Sequence, residues 1–346
     1  MGEEIVKPEM KPIPGRLVVF LVGQTDTNLE ATEFVEIKTL KSAPSYLDVI
    51  PKQKVIKLEK RDVDGSEVGF LVKAYLPDAV VVEASLEMND LLSDSTLELK
   101  RKALGECRKI LEEFNCNKEF DEEYSVYCIS GYSGDPEVYL SLYGEKIAAF
   151  LKNEKVPLDE EEVTATLSSY LKYTKDDTTI VDWDGAFIFD PNEDFHSNIE
   201  LFEIANLQLL KSRILADDLD DRLKKTLHLI KAPKGLPIIR SREVRKVLKE
   251  VVEIRTLSIL ESEAAEHNIK LIGDWYSARL YALIAKKFHL DSWKADIKEK
   301  LDTLEDVYTM AAENFSVSFG TTLEFVILAG WFLLLLLYVA EFFLLK

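Results

Sequence analysis

Residues 198 to 231 read NIELFEIANLQLLKSRILADDLDDRLKKTLHLIK and contain neither Gly nor Pro. Apolar residues such as Phe202, Ala205 and Leu209 recur at intervals of three and four, which is the spacing of one helix face. This stretch therefore predicts a long helix. It also marks a change in the character of the chain, because the sequence before it and the sequence after it follow different patterns.

The residues before this helix alternate between strand-like and helix-like segments. Two segments, at 97 to 114 and 136 to 153, have helical spacing. The irregular order of strands and helices favours an α+β fold over a regular parallel α/β sheet, so an α+β domain is predicted over residues 1–190. The strand-like segments are short runs of β-branched or aromatic residues bounded by turn residues: RLVVFLV (16 to 22), FLVKAYL (70 to 76), AVVVEASL (79 to 86), YSVYCIS (124 to 130) and TTIVDWDGAFIFD (178 to 190).

The residues after this helix predict further helices. APKGLP at 232 to 237 interrupts the helical pattern. Further helical patterns follow at 241 to 268, at 274 to 288 and from 291 onward. These patterns predict an antiparallel helical bundle over residues 191–320 with a coiled-coil-like last helix. The seam of that last helix fits either the inside of the bundle or an oligomer interface. Its residues follow a heptad-like spacing: Trp293, Ile297, Leu301, Leu304, Tyr308, Ala311 and Phe315.

The chain closes with FVILAGWFLLLLLYVAEFFLLK at 325 to 346. The sixteen residues from Phe325 to Ala340 are uncharged, and the apolar stretch reaches Leu345. A helix of about 20 apolar residues spans the hydrocarbon of a bilayer, so a transmembrane anchor is predicted over residues 321–346. Thr321 and Glu324 form a T-x-x-E capping box that would start it. The segment from Phe325 to Leu345 is expected to contact the lipid bilayer.

The N-terminus and the cysteines predict the compartment. MGEEIVKPEMKPIPG has neither the apolar run of a secretory signal nor the Arg-rich character of an organellar presequence. The three cysteines, Cys107, Cys116 and Cys128, lack C-x-x-C spacing, which argues against a disulfide framework or a cysteine zinc site. These features predict a single-pass membrane protein whose N-terminal bulk faces the cytoplasm, or the matrix in an organellar relative.

The charge of the chain is strongly acidic overall but locally basic. A formal net charge of -19 disfavours general attraction to nucleic-acid phosphates. Ten basic residues nevertheless stand between Arg222 and Lys249 against one acid, Glu243. This basic segment is either a solvated helix surface or a binding surface for a polyanion such as RNA or a ribosome. The candidate partner-binding residues are Arg222, Lys225, Lys231, Lys234, Arg240, Arg242, Arg245 and Lys246.

No catalytic, cofactor or metal motif emerges from the sequence. Asp190, Asn192 and Asp194 imitate the first ligands of a calcium loop, but Phe195 and Leu201 replace the Gly and Glu that such a loop needs. The four histidines are scattered and show no metal-ligand spacing. The sequence therefore predicts a protein that is not an enzyme, with no cofactor, no metal and no small-molecule substrate.

The stretch ELFEIANLQLLKSRILADDLDDRL at 200 to 223 resembles the domain of unknown function 155 family, which includes proteins required for meiotic nuclear division and their mitochondrial relatives. LIGDWYSARLY (271 to 281) and Leu323, Glu324 and Phe325 before the apolar tail add to the likeness. The resemblance implies a membrane-anchored, self-associating protein without catalytic residues, and a supporting role in translation for organellar members. The residues that carry it are Glu203, Ala205, Asn206, Gln208, Leu209, Leu210, Arg213 and the region from Asp217 to Asp220.

Four polar residues are predicted to link helices. Asn206 and Arg213 are seven residues apart and share a helix face with Leu210 between them, and Gln208 lies on the same helix. Glu341 in the apolar tail is expected to reach the interface or to pair with another helix. Three hypotheses of function follow from these features. The first is a non-enzymatic, membrane-anchored scaffold that presents a cytoplasmic domain for self-assembly as a homo-oligomer or for partner recruitment. The second is a membrane tether that binds RNA or a ribosome through the basic segment 222–249. The third is an enzyme with an unfamiliar site, which a pocket of converging carboxylates or of Asn and Arg side chains would support.

Overall fold

The structure is a computed structural model of the 346-residue chain, and it describes residues 11–27, 29, 53–231, 256 and 275–344. Eight strands form one sheet in the order β2-β3-β4-β1-β5-β8-β7-β6. Neighbouring strands are antiparallel except β5 and β8, which are parallel. The strands are β1 Gly15–Thr25, β2 Gln53–Val63, β3 Ser66–Tyr75, β4 Ala79–Met88, β5 Cys116–Ile129, β6 Tyr170–Leu171, β7 Thr178–Val181 and β8 Gly185–Phe189. The described helices are α1 Asp94–Glu113, α2 Glu137–Leu151, α3 Glu160–Leu167, α4 His196–Lys231, α5 Trp275–Lys287 and α6 Leu290–Leu344.

Two hairpins show how local sequence sets the strand order. β2 and β3 are joined by Asp64 and Gly65, whose φ angles of 57° and 80° are the positive values that a tight two-residue hairpin turn needs. The run TTIVDWDGAFIFD, predicted as one strand, is instead the hairpin of β7 and β8. The N–H group of Asp182 donates to the carbonyl of Gly185 at 2.9 Å and closes the turn between them.

Both faces of the central strands of the sheet are buried. Leu17, Val19 and Leu21 of β1 point to one face, which α1 and α2 cover. The alternate residues of β1 point to the other face, where α4 and α5 cover them. Because β1 is apolar on both sides, the sheet requires a layer of helices on each face.

The predicted fold, an α+β domain followed by a helical bundle and a transmembrane helix, is therefore wrong. The structure has an eight-stranded mixed sheet with helices, and two of the helices assigned to the bundle pack on that sheet. Phe202 and Leu209 of α4 and Ile284 of α5 are buried in the core of its second face. The physical reason is that this face would otherwise expose its apolar side chains to water.

The predicted transmembrane anchor is also wrong. A span needs roughly 20 consecutive apolar residues in one helix, and over the residues described, no helix is long and apolar enough to cross a membrane. This finding contradicts the anchor at residues 321–346 and the predicted single-pass membrane localisation. Thr321 and Glu324 do not start a helix either, because α6 runs without a break from Leu290 to Leu344. Backbone N–H groups in the middle of a helix have partners one turn earlier and need no cap.

The chain divides into two compact units, Met1–Ile214 with Ala264–Lys294, and Leu215–Glu263 with Ala295–Lys346. The first unit contains the sheet. In the second unit, Ile297, Leu301 and Leu304 of the heptad-like seam are buried. Lys300 lies 2.9 Å from the carboxylate of Asp220, so α4 and α6 are neighbours there. This part of the seam is thus covered within the chain.

Candidate functional site: a buried lysine and carboxylate cluster

A group of buried charged side chains in the first unit lies between the sheet and α4. Lys73 and Tyr75 come from β3, Glu83 from β4 and Glu203 from α4. In the register of β3 and β4, Lys73 lies opposite Val81, so Lys73 and Glu83 are diagonal neighbours. Lys73 and Tyr75 are two residues apart and therefore point to the same face of the sheet. The hairpin places these three side chains directly beneath α4.

Direct hydrogen bonds connect the four side chains. The ammonium group of Lys73 donates to both carboxylate oxygens of Glu203, at 2.8 and 3.0 Å, and to Oε2 of Glu83 at 3.0 Å. The hydroxyl of Tyr75 donates to Oε2 of Glu203 at 2.6 Å. One cation therefore holds two carboxylates, and Glu203 accepts from three donor contacts in all.

The cluster is closed to solvent. Glu203 is 0% exposed and Lys73, the most exposed of the four residues, is 9% exposed. A catalytic acid or base must come within hydrogen-bonding distance of its substrate, and side chains this deeply buried cannot do so in this conformation. The cluster instead joins α4 to the sheet.

The electrostatics of the cluster favour a protonated Glu203 beside a charged Lys73 and a charged Glu83. Burial raises the pKa of Glu203 to about 7, although Lys73 acts against this rise. Burial also acts on Glu83, but there the charge and hydrogen bond of Lys73 prevail and hold its pKa below the ordinary value. Burial acts to lower the pKa of Lys73, but the charges and hydrogen bonds of Glu203 and Glu83 outweigh burial and hold that pKa above its ordinary value. Near neutral pH, Lys73 and Glu83 are therefore charged, and Glu203 takes up a proton.

Further polar contacts hold α4 along its length. Gln53 of β2 donates to Glu200 at 2.7 Å, and Lys211 lies 3.3 Å from the carboxylate of Asp78. Glu200, Glu203 and Lys211 follow helical spacing and form one side of α4. The helix is thus positioned by a series of specific contacts rather than by apolar packing alone.

A second polar cluster surrounds the turn between β7 and β8. The carboxylate of Asp182 lies 3.1 Å from Lys152 and 3.0 Å from Lys287. Nearby, Lys100 of α1 donates to the side-chain carbonyl of Asn153. Burial lowers the pKa of Lys100 to about 8. These contacts tie the ends of α2 and α5 to the turn.

The structure places the predicted interhelical residues as follows. Gln208 accepts from the hydroxyl of Tyr281 on α5 at 2.6 Å. Asn206 donates to the carbonyl of Phe202 in its own helix at 2.8 Å. Arg213 pairs with Glu122 of β5, a strand rather than a helix. The side chain of Glu341 lies outside the described residues.

The predicted partner-binding residues fall mostly outside the described part of the chain. Arg222 is described, and it lies 2.7 Å from the carboxylate of Asp218 one turn earlier. Lys225 is also described, at the last position of α4 whose side chain is placed. The other predicted residues lie beyond the described side chains: Lys231, Lys234, Arg240, Arg242, Arg245 and Lys246.

The sequence contained a signal for the buried cluster that the motif search missed. Lys73 stands in FLVKAYL and Glu83 in AVVVEASL, two runs that are otherwise almost wholly apolar. A charged residue at a buried strand position needs a partner, so each marks a polar contact in the core. The identity of Glu203 as the shared partner was not readable, because it lies 130 residues from Lys73.

Over the described part of the chain, the residue types that bind metals or act as nucleophiles are dispersed or buried. No group of three or more His, Cys, Asp or Glu side chains among them is placed to hold a metal ion. The three cysteines are free and buried. Burial raises the pKa of Cys116 to about 12, so its thiol is protonated at neutral pH and is a poor nucleophile.

Comparisons with known proteins point to an archaeal relative. A family model described as "Uncharacterized protein MJ0711, N-terminal domain" matches residues 14–196. Over 318 residues the chain is 27% identical to the uncharacterized protein MJ0711 of Methanocaldococcus jannaschii. The aligned residues make up 92% of this chain and 94% of that protein. No solved structure matches the chain.

These matches contradict the resemblance to the domain of unknown function 155 family. That resemblance depended mainly on the polar and apolar pattern of α4. The same pattern follows from the position of α4 on the sheet, where Glu203, Gln208 and Arg213 each meet a polar partner. The implied roles in meiotic division and organellar translation therefore lose their basis.

Proposed function

The chain belongs to the family described as uncharacterized protein MJ0711, N-terminal domain, and from that premise we propose that it is a non-enzymatic scaffold that self-associates through the apolar end of α6. Within the first unit, the cluster of Lys73, Tyr75, Glu83 and Glu203 is buried and holds α4 in place. Self-association therefore accounts better than catalysis for what this chain presents to its surroundings.

One observation carries the proposal. The described large apolar side chains of α6 between Ile327 and Tyr338 are 52% to 75% exposed. Trp331, Phe332 and Tyr338 are among them, and aromatic side chains of about 200 Å² each contribute roughly 400 Å² of accessible surface at this exposure. Soluble monomers rarely expose contiguous apolar patches above a few hundred Å².

A second copy of the chain is the occupant that this surface fits. A copy carries the same apolar helix end, so a two-fold arrangement covers both surfaces at once. A stable interface needs about 800 Å² from each partner. The side of the helix that carries Trp331 and Leu335 supplies part of that area, and the exposed apolar side chains on its other sides extend the surface available to further copies. Upstream, Ile297, Leu301 and Leu304 are buried within the chain, so the same helix is also anchored in its own unit.

The alternative of an RNA or ribosome tether through the basic segment 222–249 stays a prediction. In the described part of that segment, Arg222 and Lys224 form ion pairs with Asp218 and Asp221, at 2.7 and 3.0 Å. These acids reduce the positive charge offered to a polyanion. No described contact favours the tether over the scaffold.

Sedimentation of the full chain in buffer without detergent tests the scaffold. We expect the wild type to be a discrete oligomer at micromolar concentration. Trp331→Glu combined with Leu335→Glu places two charges on one side of the apolar helix end and should shift the protein toward the monomer. Val138→Glu combined with Leu142→Glu is the matched control, because these two residues are also exposed and one turn apart, on α2.

Two results would contradict the proposal. One is a wild-type chain that is monomeric across the concentration range. The other is a chain that is monomeric and floats with phospholipid vesicles, because lipid and not a second copy would then cover the apolar helix end.

A further inference from the structure

Among the described strands, β2 lies at one edge of the sheet. It is the first strand in the sheet order, and none of the described strands pairs with its outer edge. It is 11 residues long, from Gln53 to Val63. Proteins usually keep edge strands short or cover them, because unpaired backbone N–H and C=O groups along an edge can pair with another strand. A long open edge therefore invites a partner strand.

The charges of β2 are complementary to those of a second β2 that runs in the opposite direction. QKVIKLEKRDV has Leu58 at its centre. When two copies pair antiparallel around a two-fold axis at Leu58, Lys57 of each copy lies opposite Glu59 of the other. Because of the two-fold symmetry this opposite-charge pair occurs twice, and opposite charges across neighbouring strands stabilise a sheet.

The central residue supports the same register. Leu58 is 67% exposed, which makes it the one large apolar side chain among the strongly exposed positions of this strand. In the two-fold pairing it faces its own counterpart and both side chains lose contact with water. Lys60 and Asp62 follow it on the same face and are also exposed, so the two-fold pair would have an apolar centre with charged side chains at each end.

Other registers are disfavoured by charge. A shift of two residues in one direction places Lys57 opposite Arg61 and Glu59 opposite Glu59. A shift of two in the other direction places Lys57 opposite Lys57. Like charges directly opposite each other destabilise a sheet, and a shift of one residue would move every side chain to the wrong face. The charges thus select one register, and the regular part of β2 that forms it begins at Lys57, after the irregularity between Val55 and Lys57.

We propose that β2 is a second self-association surface, at which β2 of another copy pairs antiparallel around Leu58 and the two sheets continue into one. This surface is separate from the apolar helix end, so the inference goes beyond the proposed function. Two different two-fold surfaces on one chain permit an assembly larger than a dimer.

The test uses the full chain in a mild maltoside detergent that covers the apolar helix end, so that strand pairing is measured alone. Sedimentation should show a wild-type dimer. Leu58→Asp and Leu58→Lys should each raise the dimer dissociation constant at least tenfold, because each places two like charges face to face at the axis. An equal mixture of the two variants should restore the dimer, because residue 58 then faces the opposite charge. Leu142→Asp, at an exposed leucine of α2, is the control and should leave the dimer intact.

The outcomes separate this inference from the proposed function. A wild type that is oligomeric in buffer and monomeric in detergent would overturn strand pairing and leave the helix contact standing. A dimer in detergent that Leu58→Asp does not weaken would also overturn strand pairing. Two monomeric variants that fail to associate when mixed would overturn the register around Leu58. The circular dichroism of each variant establishes that it has folded.

Discussion

The two faces of the sheet are buried by different means. Beneath α1, side chains such as Val19, Val82 and Ile110 form a core of apolar contacts. Beneath α4, the core includes Lys73 and Glu203, a cation and a carboxyl group that meet in the interior. Apolar packing tolerates substitutions of similar volume, whereas a buried charge is stable only with its partner in place. The first face therefore contributes general stability, and the second specifies where α4 must lie.

The largest expected effect comes from removing the shared cation. Lys73→Met leaves Glu83 and Glu203 buried without it, and loss of one partner of a buried ion pair costs about 3 to 5 kcal/mol. We expect the free energy of unfolding at pH 8 to fall by about this amount in urea titrations. The loss should be smaller at pH 5, because protons can then neutralise the carboxylates.

A neutral variant separates lost charge from lost packing. Combining Lys73→Met with Glu83→Gln and Glu203→Gln removes every charge of the cluster and keeps an acceptor for Tyr75. This triple variant should recover most of the stability that Lys73→Met loses. Equal instability of the single and triple variants would mean that the two faces differ only in packing.

The next effect is a difference in pH dependence. The pKa of Glu203 is raised from 4.5 to about 7, so its contribution to stability is complete below about pH 4.5 and is lost as the pH rises through 7. A shift of this size corresponds to about 3 kcal/mol. Urea unfolding at pH 5 and pH 8 should show that the wild type loses more stability over this interval than Glu203→Gln. Parallel losses in the two proteins would assign the pH dependence to other groups.

The smallest effect is expected on the apolar face. Ile110→Val removes one methyl group from the core under α1, where Ile110 is fully buried, and should cost about 1 kcal/mol. No charge is involved, so unfolding measured at pH 5 and pH 8 should give the same cost. A clear pH dependence would show that the apolar face is coupled to the ion cluster.

Local patterns predicted much of the secondary structure. Four of the five strand-like runs each correspond to a single strand, although those at 70 to 76 and 124 to 130 extend one residue past its end, and the fifth, at 178 to 190, contains β7, β8 and the turn between them. The helical spacings at 97 to 114 and 136 to 153 correspond to α1 and α2. β2 was missed because QKVIKLEKRDV is largely charged and lacks the apolar alternation of a half-buried strand. Its place at the edge of the sheet explains that composition.

The assembly of these elements was predicted less well. The spacing of α4 indicated a helix with one apolar side, but it did not indicate what that side would cover. The separate bundle was an inference from the run of consecutive helices, and it failed because the second face of the sheet needed the same apolar surface. The transmembrane anchor was inferred from composition alone, and no helix over the described residues meets the requirement for a span.

The sequence by itself determined the positions of most strands and helices, because periodicity depends on residues only a few positions apart. It also marked Lys73 and Glu83 as charges inside apolar strands. The tertiary structure alone decided that both meet Glu203, because that meeting requires the β3–β4 hairpin and a helix 130 residues away to be brought together. Contacts of this kind depend on how the chain crosses the sheet, which no local pattern records.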